Sequence, residues 1–297
     1  MEICVFGAGS LGSLVGGLLA RAHEVTLVGR EPHVSTIEAE GLAITGELSE
    51  RVEPSARTEP PAGADLAVVT VKSFDTAAAV EALADCELDS ALSLQNGMGN
   101  ERRLAAGLDC PVLAGTCTYG AVLTGPGTVE CTGIGEVVLG ARQGGDSALA
   151  DRVGAAFERA ELVAGVSPDM PRRLWEKLAV NAGINATTAL ARVPNGALLD
   201  GPGSSVAAAA ARETARVARE QGAAVSDTAA VERTRAVADA TAANTSSMHQ
   251  DVLSGSRTEI DAINGYVVDH ASDPVPVNET LTALVRAREA EAGVRNA

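Results

Sequence analysis

Three polar residues in the segment LWEKLAVNAGIN, residues 174–185, have a spacing that could do chemistry on a small anion. Lys177, Asn181 and Asn185 stand four residues apart, so on a helix they form one polar stripe. Lys177 is one of two lysines in a chain with 21 arginines, and an enclosed lysine can release a proton that an arginine keeps. Lys177 could therefore act as an acid beside two anion-binding amides. The alternative interpretation is a solvated helix face.

A glycine-rich turn near the amino terminus indicates dinucleotide binding. The segment FGAGSLGSL has G-x-G-x-x-G spacing, and it follows a predicted strand and precedes a predicted helix of about ten residues. The first glycine permits the tight turn, the second lets backbone approach a pyrophosphate, and the third allows close packing of helix on sheet. A merely structural glycine turn is the alternative. The predicted loop comprises Gly7, Ala8, Gly9, Ser10, Leu11 and Gly12.

The residues after the next predicted strands favour NADP(H), with NAD(H) as the alternative. An acid after the second strand binds the ribose 2′-hydroxyl of NAD, whereas an arginine accepts the 2′-phosphate of NADP. The sequence here is VGREP, so Arg30 stands where the acid is expected, and Glu31 could reverse the choice. Lys72 ends LAVVTVK at the same sheet edge and suits a phosphate, unless it is a solvated strand-end lysine. Asn96 in LQNGMG could bridge cofactor and substrate, although Asn-Gly is also a common turn.

Short apolar runs alternate with helical or loop segments through the first half of the chain. The runs are EICVFGAG, HEVTLVGR, DLAVVTVK, ALSLQNG and PVLAGTCTYGAV. This pattern predicts a parallel sheet covered on both faces. A hairpin is predicted in GTVECTGIGEVVLGA and a further strand in AELVAGVS.

The second half of the chain is predicted to be helical. Ala-rich and Arg/Glu-rich stretches cover residues 171–191, 204–222, 227–250, 257–272 and 278–292, with Pro and Gly between them. We therefore expect an α/β fold with a dinucleotide-binding domain over residues 1–167 and a helical substrate domain over residues 168–297.

The composition excludes several classes of partner and site. The net charge of −16 argues against a nucleic-acid partner, because phosphate neutralisation needs clustered Lys and Arg. The five cysteines form no C-x-x-C pair and none of the four histidines has ligand spacing, so we expect no metal. No apolar run is long enough to span a membrane and no targeting pattern precedes the first strand, which predicts a cytoplasmic protein without membrane contact.

Several segments together resemble the ketopantoate reductase (2-dehydropantoate 2-reductase) family. They are the glycine loop, WEKLAVNAGIN, PNG, NTSSMHQD, TEIDAINGY and VPVNETL, so the resemblance runs almost end to end. It implies a Rossmann-type amino-terminal domain and an all-helical domain similar to the carboxyl-terminal domain of 6-phosphogluconate dehydrogenase. It also implies reduction of ketopantoate to D-pantoate by NADPH, a step of pantothenate and coenzyme A biosynthesis.

The resemblance assigns a role to each matching position. The catalytic residues would be Lys177, as the proton donor, and Glu259, which would help order the site near the cofactor. The residues that would hold ketopantoate are Asn96, Lys177, Asn181, Asn185, Asn195, Asn244 and Ser247. The residues that would contact the cofactor, besides the glycine loop, are Arg30, Lys72, Asn96, Ala121 and Glu259. Glu259 has an alternative as a carboxylate at a helix amino terminus, and Ser247 as an ordinary helix hydroxyl.

Two other functions stay open at the level of sequence. A sister reductase of another small keto or hydroxy acid would share the two-domain plan, and substrate profiling separates it from ketopantoate reduction. A non-catalytic dinucleotide sensor would keep the glycine loop, but Lys177 with its asparagines counts against it. The Ala-rich helical half could also offer a homodimer surface.

The acidic balance predicts a halophilic-like dependence of stability on salt. The 39 acidic residues against 23 basic ones repel one another, and dissolved salt screens that repulsion. We expect the thermal unfolding midpoint to rise from low salt to molar KCl, measured by circular dichroism. Equal midpoints across the series would contradict this interpretation.

Overall fold

The computed structural model describes residues 1–295 and separates the chain into two compact units. One unit consists of Met1–Gln95 with Gly99–Met170, and the other of Asn96–Met98 with the chain from Pro171 onward. The domain boundary after residue 167 stays a prediction, because a compact unit need not be an independent domain. Within residues 1–295, no helix is both long enough and apolar enough to cross a membrane.

The first unit contains the strands and five of the helices found in residues 1–295. Its strands are β1 (Glu2–Phe6), β2 (Glu24–Val28), β3 (Leu42–Gly46), β4 (Glu50–Val52), β5 (Ser55–Arg57), β6 (Gly63–Ala64), β7 (Leu66–Val69), β8 (Glu87–Leu88), β9 (Ala91–Ser93), β10 (Val112–Cys117), β11 (Gly120–Gly125), β12 (Thr128–Gly133), β13 (Val137–Ala141) and β14 (Ala164–Val166). Its helices are α1 (Ser10–Leu19), α2 (His33–Glu40), α3 (Thr76–Leu83), α4 (Asn100–Gly107) and α5 (Ala148–Arg159).

The main sheet confirms the predicted Rossmann-type arrangement. Its strands run in the order β14-β13-β10-β9-β7-β1-β2-β5, and β1 pairs in parallel with β2 on one side and β7 on the other. Strands of Val, Leu and Ala are buried here because helices cover a parallel sheet on both faces. The chain changes direction across the sheet beside β1, the position where such sheets bind ligands at the carboxyl ends of their strands.

The predicted hairpin in GTVECTGIGEVVLGA is wrong. Strand β12 pairs with β11 and β3 in a smaller sheet, whereas β13 pairs antiparallel with β10 and parallel with β14 in the main sheet. In β12 the buried residues Val129 and Cys131 alternate with more accessible ones, while β13 is buried almost throughout. A strand of alternating burial suits a sheet with one covered face, whereas a continuously apolar strand suits a sheet covered on both faces. The two strands therefore belong to different sheets.

The second unit is helical, as predicted. Its helices are α6 (Met170–Ala191), which starts at the last residue of the first unit, α7 (Pro202–Glu220), α8 (Asp227–Ala240), α9 (Ser247–Leu253), α10 (Asn264–His270) and α11 (Pro276–Glu291). The helices predicted over 171–191, 204–222 and 278–292 are confirmed within a few residues. Those predicted over 227–250 and 257–272 were too long, because the chain leaves the helix at residues 241–246 and 257–263.

Small side chains build the core of the helical unit. Ala179, Ala182 and Ala186 on α6 are fully buried and belong to a cluster of mostly Ala, Val, Leu and Ile around Trp175. Alanine lets helix backbones approach closely, so dense packing is reached with few large residues. The Ala-rich stretches are therefore packed helices.

Two fully buried asparagines join the helices of this unit. Asn264 Nδ2 on α10 donates to Ala182 O on α6 at 3.0 Å and to Asn278 Oδ1 on α11 at 3.0 Å. Asn278 Nδ2 in turn donates to Ala210 O and to Glu213 Oε2 on α7, at 3.1 and 2.8 Å. A hydrogen-bonded polar network inside an apolar core fixes one arrangement of the helices, since a shift would leave buried groups unpaired.

Removing the Asn278 amide should destabilise the helical unit. Asn278→Ala deprives Asn264 of a buried acceptor, and we expect the free energy of unfolding to fall by about 2–4 kcal/mol. Urea unfolding followed by the fluorescence of Trp175, the single tryptophan, measures this unit because Trp175 lies in its core.

Thr280→Ala is the matched control on the same helix. The Thr280 hydroxyl donates to Pro276 O on the exposed surface, so its loss should cost below about 1 kcal/mol. Equal losses for the two variants would show that the buried network is not what holds the helices.

Candidate active site

The predicted glycine loop is a tight turn between β1 and α1. Gly7 has a φ of +112°, and a Cβ added there would lie 2.7 Å from Val71 N. A Cβ added at Gly12 would lie 2.1 Å from Gly7 O. Both positions therefore require glycine, the first for its conformation and for space, and the second because α1 packs directly against the turn.

The middle of the loop is open. Gly9 is exposed, and a Cβ added there would have only Gly7 O as a neighbour, at 4.0 Å. Gly9 is also the N-cap of α1 and supplies no side-chain hydrogen bond to the first turn. The backbone amides at the start of α1 thus border an accessible space, the arrangement that suits a pyrophosphate.

The rest of the loop is held by its neighbours. Ala8 is buried, and its N–H donates to Val28 O at 2.8 Å. Ser10 Oγ accepts from Leu123 N of β11 at 3.1 Å, which ties the start of α1 to this strand. Leu11 and Ala121, the latter on β11, are partly buried against the core of the unit.

The segment that follows β2 presents a cation. The Arg30 side chain is 93% exposed, and its nearest acid is Asp75, with Nη2 to Oδ2 at 3.9 Å. The neighbouring Glu31 is occupied differently, because its Oε2 accepts from Ser35 N in the first turn of α2 at 3.2 Å. This carboxylate thus lies at a helix amino terminus, where negative charge is stabilising. Lys72, partly buried, follows β7.

His33 connects three parts of this unit. Its Nδ1 accepts from Gly127 N, in the turn between β11 and β12, at 3.0 Å. Its Nε2 lies 2.9 Å from Ser13 Oγ on α1. Since a backbone N–H can only donate, Nδ1 must lack a proton, and the imidazole is neutral with its proton on Nε2. Burial lowers the pKa of His33 from its ordinary value of 6.5.

In the helical unit, the predicted polar stripe lies on α6 and is only partly exposed to solvent. Lys177 and Asn181 are half-buried and Asn185 is buried. Ala182 lies between Asn181 and Asn185 in the sequence, and its carbonyl accepts a hydrogen bond from Asn264. The stripe is therefore fixed on a helix that is packed along most of its length.

Asn195 and Asn244 are brought together by a backbone hydrogen bond. Asn195 N donates to Asn244 O at 3.0 Å, and Asn195 Nδ2 donates to Thr241 Oγ1 at 2.9 Å. The Asn195 side chain is buried, and within residues 1–295 its Oδ1 accepts from no donor. Asn244 itself is exposed.

The two serines after Asn244 have different environments. Ser246 is buried, lies 2.7 Å from Thr188 Oγ1 on α6 through its Oγ, and accepts from His249 N at 3.3 Å as the N-cap of α9. Ser247 is exposed as the first residue of α9. Ser246 is not among the predicted site residues, although serine is a preferred residue immediately before a helix.

Asn96 and Glu259 lie together in the helical unit. Asn96 Nδ2 donates to Glu259 Oε2 at 3.3 Å, and Met98 N donates to Ala262 O at 3.0 Å. Glu259 is buried and does not belong to the first turn of α10, which begins at Asn264. Its alternative as a helix-end carboxylate is therefore wrong.

The glycine loop on a Rossmann-type sheet, in one chain with a helical unit that carries a half-buried lysine among asparagines, defines the class as a dinucleotide-dependent oxidoreductase. The family description Ketopantoate reductase PanE/ApbA matches residues 3–144, and the description of its carboxyl-terminal part matches residues 169–289. The chain belongs to the ketopantoate reductase family.

Similar proteins match almost the whole length of the chain. The 2-dehydropantoate 2-reductase of Halobacterium salinarum is 45% identical, covering 96% of this chain and 98% of the relative. A crystal structure of a PanE/ApbA family ketopantoate reductase from Ralstonia eutropha has a TM-score of 0.90 at 35% identity, covering 99% of this chain and 100% of that one. D-mandelate dehydrogenase with NADH and anilino(oxo)acetate has a TM-score of 0.92 at 24% identity, covering 99% and 100% of the two chains, which shows a shared fold.

The neutral state of His33 should make the protein acid-sensitive. Because burial lowers the pKa of folded His33 below 6.5, the unfolded chain binds more protons in that pH range. The stabilisation from neutral His33 is present above pH 6.5 and is lost as the pH falls towards the folded-state pKa. His33→Asn keeps an acceptor and a donor but does not titrate.

Calorimetry from pH 7.5 downward tests this expectation. Below pH 6.5 the wild-type unfolding midpoint should fall more steeply than that of His33→Asn. Parallel curves would mean that protonation of His33 does not contribute to acid unfolding.

Proposed function

We propose that this protein reduces ketopantoate to D-pantoate with NADPH, in pantothenate and coenzyme A biosynthesis. The observation that carries the proposal is the half-buried stripe of Lys177, Asn181 and Asn185 on α6, in a chain whose curated relatives are named 2-dehydropantoate 2-reductase. We further propose that it acts in the cytoplasm on this small molecule, needs neither nucleic acid nor membrane, and could form a homodimer.

The cofactor would be held by the residues predicted from the sequence. The open space over Gly9 and the amides at the start of α1 fit a pyrophosphate. The exposed Arg30 and Lys72 would take the 2′-phosphate. The hydrogen bond from Ser35 N to Glu31 Oε2 supports this choice, because it engages the acid that could favour NAD(H). Ala121, Asn96 and Glu259 complete the proposed contacts. When bound, the nicotinamide supplies a hydride to the ketone carbon.

Lys177 would handle the charge and the proton of this reaction. Reduction of a ketone builds negative charge on its oxygen, which an ammonium group stabilises before it gives up a proton. A lysine on a packed helix keeps its position during this change. An arginine could stabilise the oxygen but could not readily protonate it.

The amides would recognise the rest of the substrate. Asn181, Asn185, Asn244 and Ser247 offer donors for a carboxylate. Asn195 Oδ1 is a buried acceptor whose hydrogen bonding is incomplete within residues 1–295, and a substrate hydroxyl could complete it.

Glu259 would orient Asn96 rather than react. Because Asn96 Nδ2 donates to Glu259 Oε2, the carboxylate fixes which end of the amide faces away from it. Glu259 is itself held, since the preceding Thr258 N donates to Glu289 Oε1 at 2.6 Å. An amide held in one orientation would bridge cofactor and substrate at a lower entropic cost.

Substitution of Lys177 tests the proposed reaction. We expect Lys177→Ala to lower kcat with ketopantoate by about 100-fold or more, since general acids contribute on this scale. Lys177→Arg should recover little of that loss, because it returns the charge without a transferable proton. NADPH oxidation at molar salt measures the rates, and NADPH fluorescence should show binding close to wild type in both variants.

Glu176→Gln is the control from the adjacent residue. Glu176 accepts from Arg172 at 3.2 Å and lies off the polar stripe, so activity should be retained. Full activity of Lys177→Ala would place the proton donor elsewhere. Turnover of another keto acid in preference to ketopantoate would identify a sister reductase, and NADPH binding without any turnover would identify a sensor.

A further inference from the structure

We infer that Asp75 is a specificity-determining residue that weakens the preference for NADPH and lets the protein use NADH as well. This inference rests on the proposed cofactor site and deepens it. Its starting point is the ion pair between Arg30 Nη2 and Asp75 Oδ2 at 3.9 Å. The cation proposed for the 2′-phosphate therefore already has an acid beside it.

The backbone holds Asp75 close to the second proposed phosphate ligand. Asp75 N donates to Lys72 O at 2.8 Å, which closes a short turn at the carboxyl end of β7. Asp75 precedes α3 as its N-cap, yet its side chain accepts no capping hydrogen bond. The carboxylate thus points towards Arg30 instead of serving the helix in the usual way.

The charge of Asp75 acts differently on the two cofactors. A 2′-phosphate held by Arg30 would lie near this carboxylate and be repelled by it, and it would also have to displace the carboxylate from Arg30. The ribose 2′-hydroxyl of NADH carries no charge and can donate a hydrogen bond to an acid. Asp75 therefore opposes the phosphate while it accommodates the hydroxyl.

Salt should reduce this effect. Arg30 is 93% exposed and Asp75 is 39% exposed, so solvent ions reach both. The screening length falls from about 10 Å at 0.1 M salt to about 3 Å at 1 M. The penalty on NADPH is thus largest at low ionic strength and fades at high ionic strength.

The test compares Asp75→Asn with wild type in the ratio of kcat/KM for NADPH to kcat/KM for NADH, using ketopantoate. We expect the ratio to rise about tenfold at the lowest salt that keeps the protein folded, and less than about twofold in molar KCl. The ratio is the chosen quantity because any change in the folded fraction affects both rates equally and cancels.

Two further variants show where the effect originates. Glu81→Gln removes one charge from an exposed residue of the same helix, and it should leave the ratio unchanged. Arg30→Ala should lower the ratio. In the Arg30→Ala background, Asp75→Asn should raise it by less than in wild type, because displacement from Arg30 no longer contributes.

Dissociation constants of NADPH and NADH, measured by nicotinamide fluorescence, separate this inference from the proposed function. If ketopantoate is not reduced but Asp75→Asn still shifts the ratio of dissociation constants, the reaction is wrong and the role of Asp75 stands. An unchanged ratio in Asp75→Asn, or an equal shift in Glu81→Gln, would overturn the inference even if ketopantoate is reduced.

Discussion

The close approach of α1 to the end of β1 is the constraint on which the first unit depends. Gly12 lies so near the turn that an added Cβ would meet Gly7 O at 2.1 Å, so helix and strand are almost in backbone contact. This contact directs the first amides of α1 towards the open space over Gly9. Because β2 and β7 pair in parallel with β1, their carboxyl ends lie at the same edge of the sheet. Arg30 and Lys72 follow these ends.

The helical unit carries polar side chains on a helix, α6, that is otherwise largely buried. Alanines on α6 allow dense packing, and Asn264 hydrogen-bonds to the carbonyl of Ala182 between two members of the stripe. The packing of α6 thus contributes to holding the stripe in position. In the proposed reaction, such support would let Lys177 change its protonation state without moving.

Much of this structure follows from sequence pattern, for identifiable reasons. The G-x-G-x-x-G loop and the spacing of Lys177, Asn181 and Asn185 are local signals, and each is found on the predicted type of element. The incorrect prediction of a hairpin from β12 and β13 shows that strand pairing is harder to predict than strand formation. Both runs favour strands, but pairing partners are chosen by tertiary packing that a single sequence does not display.

The hydrogen-bond and ion-pair partners of individual side chains could not be predicted from the sequence either. The sequence does not show that Glu31 accepts a hydrogen bond from Ser35 N in the first turn of α2. Glu259 lies in an irregular segment that we predicted to be helical. Thr258 N, in this segment, donates to Glu289 Oε1 on α11, a contact with a distant part of the chain. The pairing of Arg30 with Asp75 crosses 45 positions and has no sequence signature.

The turn between β11 and β12 illustrates a further consequence of the way this fold is joined. Loop tips commonly tolerate inserted residues. This hairpin, however, is bonded to α1 through Leu123 and Ser10 and to the start of α2 through Gly127 and His33. Lengthening it would disturb both attachments at once, so protein engineers should treat it as part of the framework and graft new segments elsewhere.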